Sequence, residues 1–219
     1  MIAYNQRSRR AVCVAAAVGE LVRASVIAKS VAAFAVMLVA VVVAHPAAAQ
    51  WAVGPTSWEL GPVSIGSPGG PQRLALGAGA FDITPSNHAY SETQGVFRGE
   101  YHFGDVLIPL FSPFVGLDVT TKGATYLYGG FGFDVNFAFA PNWVLTPNGA
   151  AGWYQHGSGG TVLGAPIEFR SGVDLAYKFA DQSRLGVSFQ HTSNAGIGKS
   201  NPGEQEVLLV YQLPMPLHW

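Results

Sequence analysis

From Glu168 to Phe179 the chain alternates without a break. Phe169, Ser171, Val173, Leu175, Tyr177 and Phe179 fall on one side, and Glu168, Arg170, Gly172, Asp174, Ala176 and Lys178 on the other. A period of two is the repeat of a β-strand, so this segment predicts a strand with one greasy and one polar face. The pattern recurs. Phe97, Tyr101 and Phe103 alternate with Arg98, Glu100 and His102; Leu127, Phe131, Phe133, Val135, Phe137 and Phe139 share a parity opposite to Asp134 and Asn136. Leu185, Val187 and Phe189 alternate with Gly186, Ser188, Gln190 and Thr192. Eight strands follow, at residues 72–83, 93–103, 106–119, 124–139, 143–154, 165–179, 184–193 and 206–213.

A soluble sandwich also alternates, but it buries the apolar face and wets the polar one. The connections separate the two cases. Gly104-Asp105, Ala140-Pro141-Asn142 and Ala180-Asp181-Gln182-Ser183 read as tight turns, while 85–92, 155–164 and 194–205 are long and only 120–123 among the others is short. Short and long links in alternation, joining about eight strands of about ten residues, describe the smallest outer-membrane barrel. The expected fold is therefore all-β, an eight-stranded antiparallel transmembrane β-barrel. Its lumen would hold Arg98, Glu100, Asp134, Glu168, Arg170, Asp174 and Lys178, and its lipid face the aromatic and aliphatic series. Trp143 and Trp153 near strand ends suit an aromatic girdle.

The N-terminus changes what counts as the folded part. Arg7, Arg9, Arg10, Arg23 and Lys29 precede an apolar run from Val31 to Ala44, then His45-Pro46 and Ala47-Ala48-Ala49. A basic region, a short apolar stretch and an A-x-A site describe a secretory signal peptide. The competing reading, a membrane anchor, needs roughly 20 apolar residues. Residues 1–49 are thus expected to be cleaved, leaving 50–219 as the barrel. Cys13, the only cysteine, falls in the leader, so residues 50–219 can form no disulfide. They keep seven Lys/Arg against twelve Asp/Glu, a balance that argues against nucleic acid as a partner. The remaining histidines are scattered, and neither a metal site nor a cofactor is expected. Gly157-Ser158-Gly159-Gly160 is a loop tip, not a phosphate cradle, because no helix follows it.

One short stretch carries chemistry. The seventh strand runs into His191-Thr192-Ser193-Asn194. His191 and Ser193 are two apart, so both project from one face, which is the apolar face of Val187 and Phe189. Polar, ionisable groups on a lipid-facing stripe are costly and mark function by default. A serine becomes a nucleophile when a base within reach takes its proton, and an imidazole is such a base. The plainer reading is a histidine and a serine at a polar rim, where both belong without any reaction. His102, among lumen charges, reads as an interior histidine, and His88 and His156 lie in loops.

The stretch HTSNAGIGKSNPGEQE, His191 to Glu206, resembles the signature of the lipid A 3-O-deacylases of the PagL family, H-x-S-N before a loop with a second Asn-x-Gly. The resemblance is specific from Gly186 to Tyr211 and architectural elsewhere. It implies a serine esterase that removes an ester-linked acyl chain from lipid A, with Ser193 as nucleophile and His191 as general base. It further implies Gly196 and Asn201 as oxyanion donors and Asn194 in support. The family's orienting acid falls on Gln205, flanked by Glu204 and Glu206. Parity sends position 205 toward His191 and its two neighbours into the lumen. A bulge or a one-residue slip would reverse those faces, and with it Glu206, or less readily Glu204, becomes the acid; Glu206 is the first choice. The implied partners are lipopolysaccharide and outer-membrane lipids, and the oligomeric state, monomer or homodimer, stays open. The alternative is a non-enzymatic barrel, an adhesin or lipopolysaccharide-binding structural protein with a degenerate site, which Gln205 keeps in play. A small porin is a poor third reading, because eight strands leave an interior that side chains fill.

Overall fold

The computed structural model describes residues 57–66, 70–85, 91–104, 110–157 and 159–215. The expected leader, His88, Ser158 and the terminal Trp219 lie outside the described residues. The strands are β1 (Trp58–Leu60), β2 (Val63–Ile65), β3 (Gln72–Phe81), β4 (Gln94–His102), β5 (Ser112–Thr120) and β6 (Thr125–Gly132). They continue as β7 (Val135–Phe137), β8 (Trp143–Gln155), β9 (Ile167–Lys178), β10 (Arg184–Ser193) and β11 (Glu204–Met215). Antiparallel pairing runs β3–β4–β5–β6–β8–β9–β10–β11, and β11 returns to β3 from Glu206↔Phe81 to Met215↔Gln72. The ring closes, so those eight staves have no open edge.

Period two governs which side chain faces where. On β10 Arg184, Ser188, Gln190 and Thr192 are buried inside, while Leu185, Val187 and Phe189 are exposed on the outer wall. On β11 Leu208, Val210 and Gln212 go inward, and Leu209 and Tyr211 go outward. Phe97 at 62% and Leu209 at 61% exposure exclude a sandwich core around this face. Such a wall is stable only against hydrocarbon.

The lumen is filled with paired charges. Arg98 meets Asp118 through two hydrogen bonds (Nε to Oδ1 2.9 Å, Nη2 to Oδ2 3.0 Å) and also donates to Glu206. Arg170 donates to Glu100 at 2.7 Å and lies 4.0 Å over the Tyr128 ring. Tyr128 in turn donates to Glu100 at 2.7 Å. His102 sits 3.0 Å from Glu100, inside, as its parity implies. Buried charges persist only when paired and hydrogen-bonded, and this cluster ties β4, β5, β6, β9 and β11 together across the barrel.

Three features depart from the sequence reading. The fourth strand is two pieces. Opposite its break lies Pro147 of β8, which has no N–H for the ladder, and beyond it β7 leaves β5 and pairs with β2 instead. Asp134, at the break, turns inward and takes Arg184 and Thr146. Next, the expected turn at Gly104-Asp105 falls partly outside the described residues. The described third strand begins at Ser112, and just ahead of it Leu110 holds φ at +75°, a left-handed conformation that cannot continue a strand. Finally, the β1–β2 hairpin was not anticipated; it extends the wall from β7.

The turn between β9 and β10 behaves as expected. Ser183 donates its hydroxyl (2.7 Å) and its N–H (3.0 Å) to Asp181, holding that exposed carboxyl below its ordinary range. The loops at 82–93, 156–166 and 194–203 share one end, opposite that turn and opposite both ends of the 72–215 closure.

Candidate active site

β10 delivers His191 and Ser193 to the outer wall at the long-loop end. Both are half-buried, one and two steps beyond the exposed Phe189 on the same face. Pairing puts Gln205 of β11 directly across from His191, and Phe169 of β9 across from Ser193. Gln205 Nε2 lies 3.1 Å from His191 Nδ1, and its Oε1 accepts the Thr84 hydroxyl. Serine, imidazole and carboxamide thus share one outward face, bordered below by Phe189, Val207 and Leu209.

The slip that would make Glu206 the orienting acid does not occur. The register holds from Arg184↔Gln212 through Thr192↔Glu204 without a bulge. Glu206, 1% exposed, faces the lumen and is bound by Arg98. Glu204 is equally buried and accepts the Asp82 N–H at 3.3 Å. Both carboxylates are committed on the opposite side of the wall from His191. Gln205 alone of the three meets the imidazole.

The loop after Ser193 is built by Asn194. Its side chain is fully buried, donating to Leu163 O (2.8 Å) and Ser200 O (2.7 Å) while its Oδ1 accepts the Gly196 N–H at 3.0 Å. Its own N–H donates to Asn201 Oδ1 at 2.9 Å. These bonds clamp residues 194–201 onto the 156–166 loop. They also divide the two expected oxyanion donors. The Gly196 N–H is held by Asn194, whereas Asn201 spends its oxygen and keeps its amide hydrogens. Ala195 and Gly196 both take positive φ, +53° and +82°, which turns the chain sharply after the serine.

Gly203 is a site residue that sequence reasoning missed. It has φ +66°, and a Cβ there would stand 2.9 Å from His191 Cε1. The signal in the sequence was only a glycine after proline. Gly203→Ala therefore forces the imidazole aside. It is expected to lower turnover by on the order of 10²-fold, as ångström-scale misplacement of a reacting group does, with heat-modifiable migration of the barrel retained. Parallel kinetics and unheated gel electrophoresis check both halves of that expectation.

The arrangement is a closed eight-stranded transmembrane barrel with a serine–imidazole–carboxamide row on its outer wall. Residues 108–214 match the family model described as lipid A 3-O-deacylase (PagL). Over that segment the chain is PagL-like, and the barrel is that of a bacterial outer-membrane protein. The matched part contains His191, Ser193, Gln205 and the 194–203 loop. A crystal structure of the outer membrane enzyme PagL is similar in fold, with a TM-score of 0.51, 18% identity, and coverage of 65% of this chain and 99% of that one. A de novo designed transmembrane β-barrel gives 0.46 at 13% identity over 72% and 100% of the two chains. The Yersinia pestis outer membrane protein Ail gives 0.35 at 10% identity over 65% and 99%. No curated protein matches the sequence. Among the described residues no group of histidine, cysteine and acidic side chains could hold a metal ion.

Proposed function

We propose that the protein is a serine esterase of lipid A, hydrolysing the ester of the 3-O acyl chain, with Ser193 as nucleophile and His191 as general base. The observation that carries the reading is the outward row of Ser193, His191 and Gln205, with the Gln205 amide 3.1 Å from His191 Nδ1. A soluble substrate gains nothing from a site on a lipid-facing wall. Long loops mark the extracellular end of such barrels, so this row meets the leaflet where lipid A resides. An acyl chain can then lie along Phe189, Val187 and Leu209 while its ester reaches the serine.

Ser193 Oγ attacks the ester carbonyl as His191 takes its proton. The oxyanion draws on the Asn201 amide hydrogens and, once released from Asn194, on the Gly196 N–H. Collapse breaks the bond to the sugar oxygen, which leaves with the proton from His191. Water, deprotonated by the same imidazole, then frees the fatty acid from the serine. Donors aimed at the developing oxyanion contribute about 10²–10³-fold each in related acyl transfers.

Lipid A from cells expressing the protein, compared by mass spectrometry with cells carrying empty vector, tests this. The expected spectrum shows loss of one hydroxyacyl chain, and fragmentation puts the loss at the 3-position. Unchanged lipid A would leave the chain as a non-enzymatic lipopolysaccharide-binding barrel, the reading an uncharged Gln205 favours.

A further inference from the structure

Resting on that catalytic reading, we propose that Ser171 is a substrate-binding residue that takes the hydroxyl of a 3-hydroxyacyl chain and so selects hydroxyacyl esters over plain ones. Ser171 stands on β9 directly across from His191, as Gln205 does on β11, so the imidazole has a polar neighbour on each side. It is exposed on the outer wall, between Phe169 on the rim side and Val173 on the other, with Phe189 on the diagonal. Its hydroxyl has no hydrogen-bond partner among the described residues. The space beside it is open. Gly149 of β8, its partner on the far side, brings no side chain, and a Cβ added there would meet only Arg170 O, at 3.7 Å.

A hydroxyl turned toward hydrocarbon finds no water and costs free energy until something bonds to it. The catalytic row leaves Ser171 no part of its own, because Gln205 lies against His191 Nδ1 and the other ring nitrogen serves Ser193. Its partner must bring a polar group to this depth on an otherwise apolar wall. An acyl ester held at Ser193 brings one. Pairing sets Ser193 across from Phe169, one two-residue step nearer the rim than Ser171, or about 7 Å along the strand. A chain descending from Ser193 toward Phe189 and Val187 passes Ser171 just beyond its carbonyl. In a 3-hydroxyacyl chain the hydroxyl sits on the second carbon after that carbonyl, the carbon that reaches this level. A plain chain presents only a methylene there and leaves the Ser171 hydroxyl bare. A site that bonds a substrate hydroxyl rejects the analogue lacking it through that unpaired group.

Two synthetic 3-O-acyl glucosamine phosphates of equal chain length, one 3-hydroxyacyl and one unsubstituted, test the assignment in micelles. The hydrogen bond lies off the reacting atoms and forms alike in the ground and transition states, so its effect belongs in KM. The wild type is expected to show a KM about tenfold lower for the hydroxyacyl ester, the scale of one neutral hydrogen bond, with similar kcat for both. Ser171→Ala is expected to raise that KM to the level of the plain ester and to leave the plain ester's kinetics unchanged. Ser171→Thr, which keeps a hydroxyl, is expected to restore the preference. Equal KM for the two esters in the wild type would overturn the proposal. So would a loss of kcat on both esters in Ser171→Ala, which would make the residue a support of His191. Binding gives a readout independent of turnover. The Ser193→Ala barrel is expected to hold the hydroxyacyl ester about tenfold tighter than the plain one, and adding Ser171→Ala to make the two equal. Equal affinities in the Ser193→Ala barrel overturn the proposal even if both esters are hydrolysed by the wild type. The expected difference in affinity without any hydrolysis by the wild type would instead sink the esterase reading and leave the recognition standing.

Discussion

Ser193→Ala and His191→Ala are each expected to lower the rate of lipid A deacylation by at least about 10³-fold, because nucleophile and base act as one unit and neither works alone. The double variant is expected to be no worse than either single one. Both side chains project from the outer wall, and neither takes part in the Arg98–Glu100–Asp118 cluster. The barrel should therefore fold as before, and unheated gel migration should be unchanged. Turnover of purified variants on lipid A in detergent micelles, beside that gel, measures both. Additive losses in the double variant would mean that the two residues do not cooperate in one step.

The second large effect concerns stability. Arg98 carries only 2% of its side-chain surface to solvent and pairs with Asp118 and Glu206. Arg98→Met leaves Glu206 in the lumen without its cation and Asp118 with Arg170 alone, 3.7 Å away. Breaking a buried pair by removing one partner costs about 3–5 kcal/mol, because the remaining charge is uncompensated. The expected result is a marked drop in the temperature at which the folded band is lost on gels. The site should suffer as well. Glu206 precedes no loop: it neighbours Gln205 on β11, and its pairing with Arg98 pins the register that keeps Gln205 opposite His191. A milder loss of kcat in Arg98→Met below its transition temperature is the corollary.

How much of this was legible in the sequence depends on how local the cause is. Strand parity is local, so alternation alone sent His191, Ser193 and Gln205 outward and Glu204 and Glu206 inward. The choice of Glu206 as acid overrode that parity by supposing a slip, and nine consecutive paired positions between β10 and β11 leave no room for one. The break between β6 and β7 has its cause in Pro147 on another strand, and so could not be read from its own residues. The β1–β2 hairpin has three-residue strands, too short for a period to show. Gly203 looks like any turn glycine until His191 Cε1 is seen beside it. Thr84 lies 121 residues from Gln205 in the chain, and only barrel closure brings them together.

The acid position is where sequence and structure meet most usefully. A glutamine facing the imidazole without charge reads as decay if its neighbours are ignored. Thr84 donates to its Oε1 and its Nε2 lies against His191 Nδ1, so the amide is held at both ends although it cannot stabilise imidazolium. A slow but real esterase is the consistent expectation.

The measurement closest to the central claim is covalent labelling of the folded barrel in micelles with a long-chain alkyl fluorophosphonate, followed by peptide mapping. A serine activated on the lipid-facing wall should be modified at Ser193, in the peptide that carries His191, and His191→Ala should abolish the adduct. No adduct at Ser193, or the same adduct in His191→Ala, would contradict the account.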